Sequence, residues 1–208
     1  MNHTESSSGP RRKAGRPLSF DREAALEQAM LMFWRYGYET TSVTDLTTAM
    51  GITAPSLYTA FGDKKQLFLE AAQRYMGDRE AIGRAIEAAP TAWDAAHTML
   101  INAVTAYTSD TGPKGCLLAS ATASGSAGSA EVQLAIANIR KFIAEALGKR
   151  LERDIAAGLL PPTTSAPVLA GLVMTILQGM SVLARDGASR ASLMAVVDLA
   201  LQAWPVKH

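Results

Sequence analysis

Between Asp21 and Met76, single glycines at positions 37, 51 and 62 interrupt an otherwise continuous three- and four-residue apolar spacing. Short helices joined by tight turns satisfy both signals, because the spacing marks one buried helix face and each glycine marks a stop. Ala25, Leu26, Ala29, Met30, Phe33 and Trp34 form the stripe of a first helix that ends at Gly37. Ser42 caps a second helix, with Asp45 in its first turn and Val43, Leu46 and Met50 facing inward. Thr53 caps a third, which tolerates Pro55 in its first turn and buries Leu57 and Phe61. Asp63, with Gln66 three residues on, opens a fourth helix that runs to about Met76.

The rest of the chain keeps the helical period in longer, more apolar segments. Helices are expected over roughly 78–88, 91–108, 116–123, 130–156, 165–185 and 189–204. Breakers separate them: Ala89-Pro90, residues 110–115, the Ser/Gly/Ala run 124–129, Gly158 to Pro162, and Asp186-Gly187. No segment alternates apolar and polar residues between hairpin turns, so the expected fold class is all-α. With 208 residues, 48% of them hydrophobic, the chain can bury a substantial core. The expected organisation is a flexible basic arm over 1–17, a small helical domain over 18–76 and a larger helical domain over 77–208.

Charge is nearly balanced, 20 Lys+Arg against 19 Asp+Glu, so any surface for a polyanion must be local. One local excess is the arm, where Arg11, Arg12, Lys13 and Arg16 face the single acid Glu5. It reads either as a solvated tail or as a segment reaching into a minor groove or along phosphates. A second candidate lies between Thr41 and Phe61, where two short helices meeting at Gly51 have the spacing of a helix-turn-helix. Thr47 and Gly51 allow a close crossing, and Leu46, Met50, Ile52 and Leu57 fix its angle. Pro55, Ser56, Tyr58 and Thr59 would then face outward, suited to base edges, thymine methyls and phosphates in a major groove. Ser42 and Thr44, at the start of the preceding helix, could bond phosphates, and Lys64 and Lys65 add charge beside them. Such a crossing also occurs in enzymes as plain structure, so geometry alone leaves both readings open.

The run from Gly15 to Tyr75 closely resembles the N-terminal domain of TetR-family (tetracycline-repressor-like) transcriptional regulators. The matching positions are Phe33, Gly37, Thr41, Ser42, Val43, Gly51, Leu57, Tyr58, Phe61, Lys64 and Leu67. The resemblance implies that the matching threonine, serine, tyrosine and lysine positions contact DNA, largely its phosphates. Taken with the reading of the residues themselves, the expected DNA-binding set is Ser42, Thr44, Thr53, Pro55, Ser56, Tyr58, Thr59 and Lys64, with Arg11, Arg12, Lys13 and Arg16 of the arm. It further implies an operator-binding homodimer, a fourth helix linking the two domains, and a variable second domain that encloses an effector pocket and dimerises through its last two long helices, here 165–185 and 189–204. Ala170, Gly171, Thr175 and Gly179, with Leu172, Ile176 and Leu183, could pack such an interface or fill the monomer core.

In the second domain, Trp93, His97, Met99, Tyr107, Phe142, Met174 and Gln178 are the bulky or polar groups from which an apolar pocket with polar anchors could be built. Cys116, the only cysteine, opens an expected helix, where a lowered thiol pKa would favour a sensor, but a lone cysteine also serves as a small buried hydrophobe. It excludes an intramolecular disulfide and leaves a cysteine-based zinc site without ligands, which fits a reducing cytoplasm. The polar N-terminus has no secretory signal pattern, and the apolar stretch 166–184 carries Gly171, Thr175, Gln178, Gly179 and Ser181, so neither export nor a membrane span is expected. The three histidines are His3, His97 and His208, and no phosphate-binding glycine loop is present, so neither metal, nor cofactor, nor enzymatic activity is expected. The expected function is a sequence-specific DNA-binding regulator, a repressor released from a palindromic operator by a small molecule. The alternatives are a sequence-tolerant architectural DNA-binding protein without an effector, or a cofactor-free helical enzyme.

Overall fold

The computed structural model describes residues 20–121 and 127–205. The described residues form α1 (Arg22–Tyr36), α2 (Val43–Met50), α3 (Ala54–Phe61), α4 (Lys64–Met76), α5 (Arg79–Ala88), α6 (Ala92–Tyr107), α7 (Leu117–Ser120), α8 (Ala130–Ala156), α9 (Ala166–Arg185) and α10 (Arg190–Gln202), with no strand among them. The arm cations Arg11, Arg12, Lys13 and Arg16 lie outside the described residues.

Capping chemistry sets the starts of the first helices. Asp21, Ser42, Thr53, Asp63, Asp78 and Thr91 each accept a backbone N–H from the first turn of the helix they open. The helix expected over 116–123 is seen as Leu117–Ser120, with no capping acceptor from Cys116 and a turn already at Ala121; residues 122 and 123 lie outside the described residues.

Helices α1 to α4 close around Phe33, Leu46, Leu57, Leu67 and Phe68, all fully buried. The Phe68 ring meets Phe33 and Tyr38 edge-on, at centroid distances of 5.1 and 5.2 Å. In the larger part of the molecule the 27-residue α8 is the spine. It packs against α5, α6 and α9, while α6 also packs against α9 and α10. A buried ion pair ties this spine to the α5–α6 corner. Arg150 and Asp154 approach to 2.6 Å, Arg150 donates to the carbonyls of Ala89 and Pro90, and Asp154 accepts the Ala92 N–H. Thus one pair satisfies the carbonyls at the end of α5 and an amide at the start of α6, groups that their own helices leave open.

Candidate nucleic-acid interface

The turn between α2 and α3 sets the geometry of the reading surface. Gly51 sits at φ 66°, ψ 30°, a left-handed conformation that costs glycine little, and it carries the chain sharply from one helix to the next. The Ile52 N–H bonds to the Thr47 carbonyl and the Gly51 N–H to that of Thr48, which closes the end of α2. Leu46, Met50, Leu57 and Phe61 are buried beneath this crossing. Helical geometry then turns Pro55, Tyr58 and Thr59 outward, and all three are exposed, with Ser56 half-buried beside them.

The hydroxyls on this surface are not equally available. The Thr59 hydroxyl donates to the Pro55 carbonyl at 2.8 Å, and the Thr53 and Ser56 hydroxyls bond each other at 2.9 Å. Ser42 and Asp45 form a reciprocal capping box, in which the Ser42 hydroxyl donates to the Asp45 carboxylate at 2.6 Å and holds that carboxyl below its ordinary pKa. The Tyr58 phenol, 51% exposed, has no hydrogen-bond partner among the described residues. Lys64 does not extend into solvent: its ammonium lies 4.5 Å from the Tyr38 ring centroid, and burial lowers its pKa. Lys65 pairs with Glu131 of α8 at 2.6 Å. Of the two lysines expected to add charge, one is stacked and the other is paired.

Behind this surface, Arg22 bonds Glu70 at 2.5 and 2.8 Å, donates to the Ala60 carbonyl, and lies over the Phe61 ring at 4.3 Å. Arg74 reaches Glu23 and Glu27 at 2.6 and 2.8 Å. These contacts bind α4 to α1 and hold α3 as part of a single unit.

The residues singled out in the larger part fall into separate groups. Trp93 and His97 stack on each other, rings 4.9 Å apart, with Trp93 exposed. Phe142 lies under Arg79 at 4.8 Å and beside Gly83, lining a cavity of about 210 Å³. Tyr107 and Cys116 are buried beside the half-buried Tyr75, and burial, followed by the nearby thiol, pushes both phenols well up. Met174 and Gln178 are half-buried on α9.

A connection between the two parts was not anticipated from the sequence. The Trp34 indole, read as part of the buried stripe of α1, instead donates to the Gly115 carbonyl at 3.0 Å. Its backbone carbonyl accepts the Arg185 guanidinium at 2.8 Å. Arg185 also bonds the Ser120 hydroxyl. Gly115 is required at this point: its φ is +77°, and a Cβ there would stand 2.7 Å from the Ser181 carbonyl. Ser181 in turn accepts the Cys116 N–H at 2.8 Å. Thus α9 holds the end of α1 directly, in parallel with α4. A tryptophan and a helix-terminal arginine 151 residues apart carry no local spacing signal by which this contact could have been found.

The sequence pattern described as "Bacterial regulatory proteins, tetR family" matches residues 25–71. Over 97% of its length the chain is 34% identical to the HTH-type transcriptional repressor ComR of Escherichia coli (strain K12), and the match covers 97% of that protein. The chain belongs to the TetR family. Over 66 residues, 32% of the chain and 34% of the relative, it is 41% identical to the HTH-type transcriptional repressor BdcR of the same organism. Its structure is similar, with a TM-score of 0.84 and 41% identity, to a cysteine mutant of the TetR family regulator CifR in complex with a 26 bp double-strand operator DNA. That similarity covers 91% of this chain and 100% of the CifR chain. This TetR-family protein is accordingly a DNA-binding transcriptional regulator, and the α2–α3 crossing is its helix-turn-helix.

Proposed function

We propose that this regulator is a cytoplasmic, non-enzymatic repressor that binds a pseudo-palindromic operator as a homodimer and is released by a small-molecule effector. The observation that carries the reading is the outward face of α3, where the free Tyr58 phenol, Pro55 and Thr59 stand over a fully buried Leu57. Residues 18–76 serve as the reading head and 77–208 as the effector and dimerisation domain. The names of its relatives support this reading, since ComR and BdcR are called repressors and CifR was captured on operator DNA. Ser42, Thr44, Thr53 and Ser56 supply phosphate contacts at the starts of α2 and α3, with Lys64 and the arm cations Arg11, Arg12, Lys13 and Arg16 adding charge.

Dimerisation is supported by the outer face of α9. Val168 is 71% exposed, Leu172, Val182 and Leu183 are also exposed, and a Cβ at Gly171 or Gly179 would meet nothing within 4 Å. Val196 and Leu199 leave a similar apolar surface on α10. A second copy covering both helices would bury this face, and two-fold symmetry would then present two α3 helices to successive major grooves. The same helix, Ala166–Arg185, is long and apolar enough to cross a membrane. Its inner face, with Leu169, Val173, Leu177 and Met180 buried in the core, is that of a packed helix.

Tyr58→Ala tests the reading. Operator affinity should fall about 10- to 100-fold while helix content and dimerisation are unchanged, as one lost contact of this type predicts. Unchanged affinity in electrophoretic or anisotropy titrations would remove α3 from the DNA.

A further inference from the structure

At the corner where α6 meets the α9–α10 turn, a cavity of about 580 Å³ is lined by three cations, Lys114, Arg185 and Arg190, and by one acid, Asp110. Lys114 and Asp110 neutralise each other at 2.7 Å. The other two cations have only neutral partners among the described residues. Arg190 bonds the Thr105 hydroxyl at 3.1 Å, and Arg185 bonds the Trp34 and Cys116 carbonyls, at 2.8 and 3.4 Å, and the Ser120 hydroxyl. Two arginines therefore line one polar space, and among the described residues neither guanidinium is paired with a carboxylate. A carboxylate or phosphate adds the attraction of its own charge and can accept two parallel N–H bonds from a guanidinium, which a single carbonyl or hydroxyl cannot, so an anion entering this space would compete with the neutral partners for both.

Arg185 gives the cavity its consequence, because this residue both lines the space and, through its guanidinium, holds the end of α1. We propose that this corner binds an anionic small molecule bearing a carboxylate or phosphate group, and that its occupation draws Arg185 from the Trp34 carbonyl and loosens the reading head. The assignment rests on the effector-released repressor reading and supplies that effector's chemical class. Burial lowers the Arg185 pKa, as expected for a partly desolvated cation without a counter-charge, and an anion beside it would reverse that shift. The volume lies within the range of small-molecule sites. The coupling is thermodynamic: an anion that binds better when Arg185 is free of Trp34 must weaken operator binding by the same factor that the operator weakens the anion.

The test uses the full chain and an operator fragment selected from random DNA, with citrate and pyrophosphate as the carboxylate and phosphate probes. Sodium chloride at matched ionic strength corrects for the general weakening of DNA binding by salt. At least one probe should lower operator affinity about tenfold more than chloride does, a typical size for coupling between sites. Arg190→Gln should keep its anion-free operator affinity and lose that response, and Arg185→Gln should bind operator more weakly before any anion is added. Which probe acts distinguishes a carboxylate from a phosphate ligand. A response to neither probe beyond that to chloride, or an Arg190→Gln response equal to that of the unaltered protein, would overturn the proposal. Failure of the anion-free protein to select any operator would instead count against the repressor reading. Titration calorimetry of the two probes on the unaltered and Arg190→Gln proteins would then decide the anion site by itself, with equal heats overturning it.

Discussion

The reading head and the larger helical domain finish their surfaces in opposite ways. In the head, apolar side chains turn inward around Phe33 and Phe68, and the outside of the α1–α4 pair is stitched by half-exposed ion pairs, Arg22 with Glu70 and Arg74 with Glu23 and Glu27. What it shows to solvent at α3 is Pro55, Tyr58 and Thr59, small groups apart from the tyrosine. The larger domain places an ion pair, Arg150 with Asp154, inside, and leaves Val168, Leu172, Val182 and Leu183 outside on α9. The head is therefore a closed unit whose exposed groups suit a polar, hydrated partner such as DNA. The larger domain is unfinished on one side, and the partner that its apolar stripe suits is a second copy of itself.

If charge is structural in one region and peripheral in the other, Asp154→Ala should produce the largest stability effect. Losing one partner of a buried pair costs about 3–5 kcal/mol, because Arg150 is left charged and uncompensated. Denaturant titration checks this, and a loss below about 1 kcal/mol, the range of an exposed pair, would erase the contrast. The apolar stripe is tested by Leu172→Glu combined with Val182→Glu, which should give a folded monomer in sedimentation experiments. Operator affinity should then fall about 100-fold or more, since the second half-site no longer adds to the first. A dimer that persists would move the interface off α9.

Smaller effects sharpen the head's side of the comparison. Replacing Arg11, Arg12, Lys13 and Arg16 with alanine should reduce the slope of log affinity against log salt by about 3–4, if each cation releases close to one counterion. An unaltered slope would make the arm a solvated tail. The smallest effect is expected at Glu70, whose carboxyl is held below its ordinary pKa by the hydrogen bond from Arg22. A lowered folded-state pKa stabilises the head above the unfolded carboxylate pKa, and this contribution disappears as pH falls through the folded value. Glu70→Gln should therefore cost about 0.5 kcal/mol at neutral pH and nothing in strong acid, with solvent screening keeping the figure small.

The head could be read from the sequence because its determinants are local. Gly51, the capping residues Ser42 and Thr53, and the Leu46–Met50–Leu57–Phe61 stripe all lie within 20 consecutive residues, and the structure places each as the pattern requires. The helices of the larger domain could be located for the same reason, apart from the short α7. What local spacing could not supply was contact between distant segments. Trp34 fits the α1 stripe by period yet serves the junction with Gly115 and Arg185. Charged residues inside α8 usually indicate a solvated face, and Arg150 and Asp154 are buried because an incoming helix corner needs their hydrogen bonds. The effector residues were the least legible. Trp93, Phe142 and Cys116 share a chemistry that suits a pocket, but they lie in three different places.

The central claim is that two copies of α3, held at a fixed spacing by α9 and α10, read an inverted repeat. Selecting bound sequences from random duplex DNA at physiological salt, with the purified full chain, tests it directly. Recovery of one inverted-repeat motif, with half-sites about one helical turn or a multiple apart, is the predicted result. Recovery of a single unpaired half-site, or of no motif at all, would contradict it.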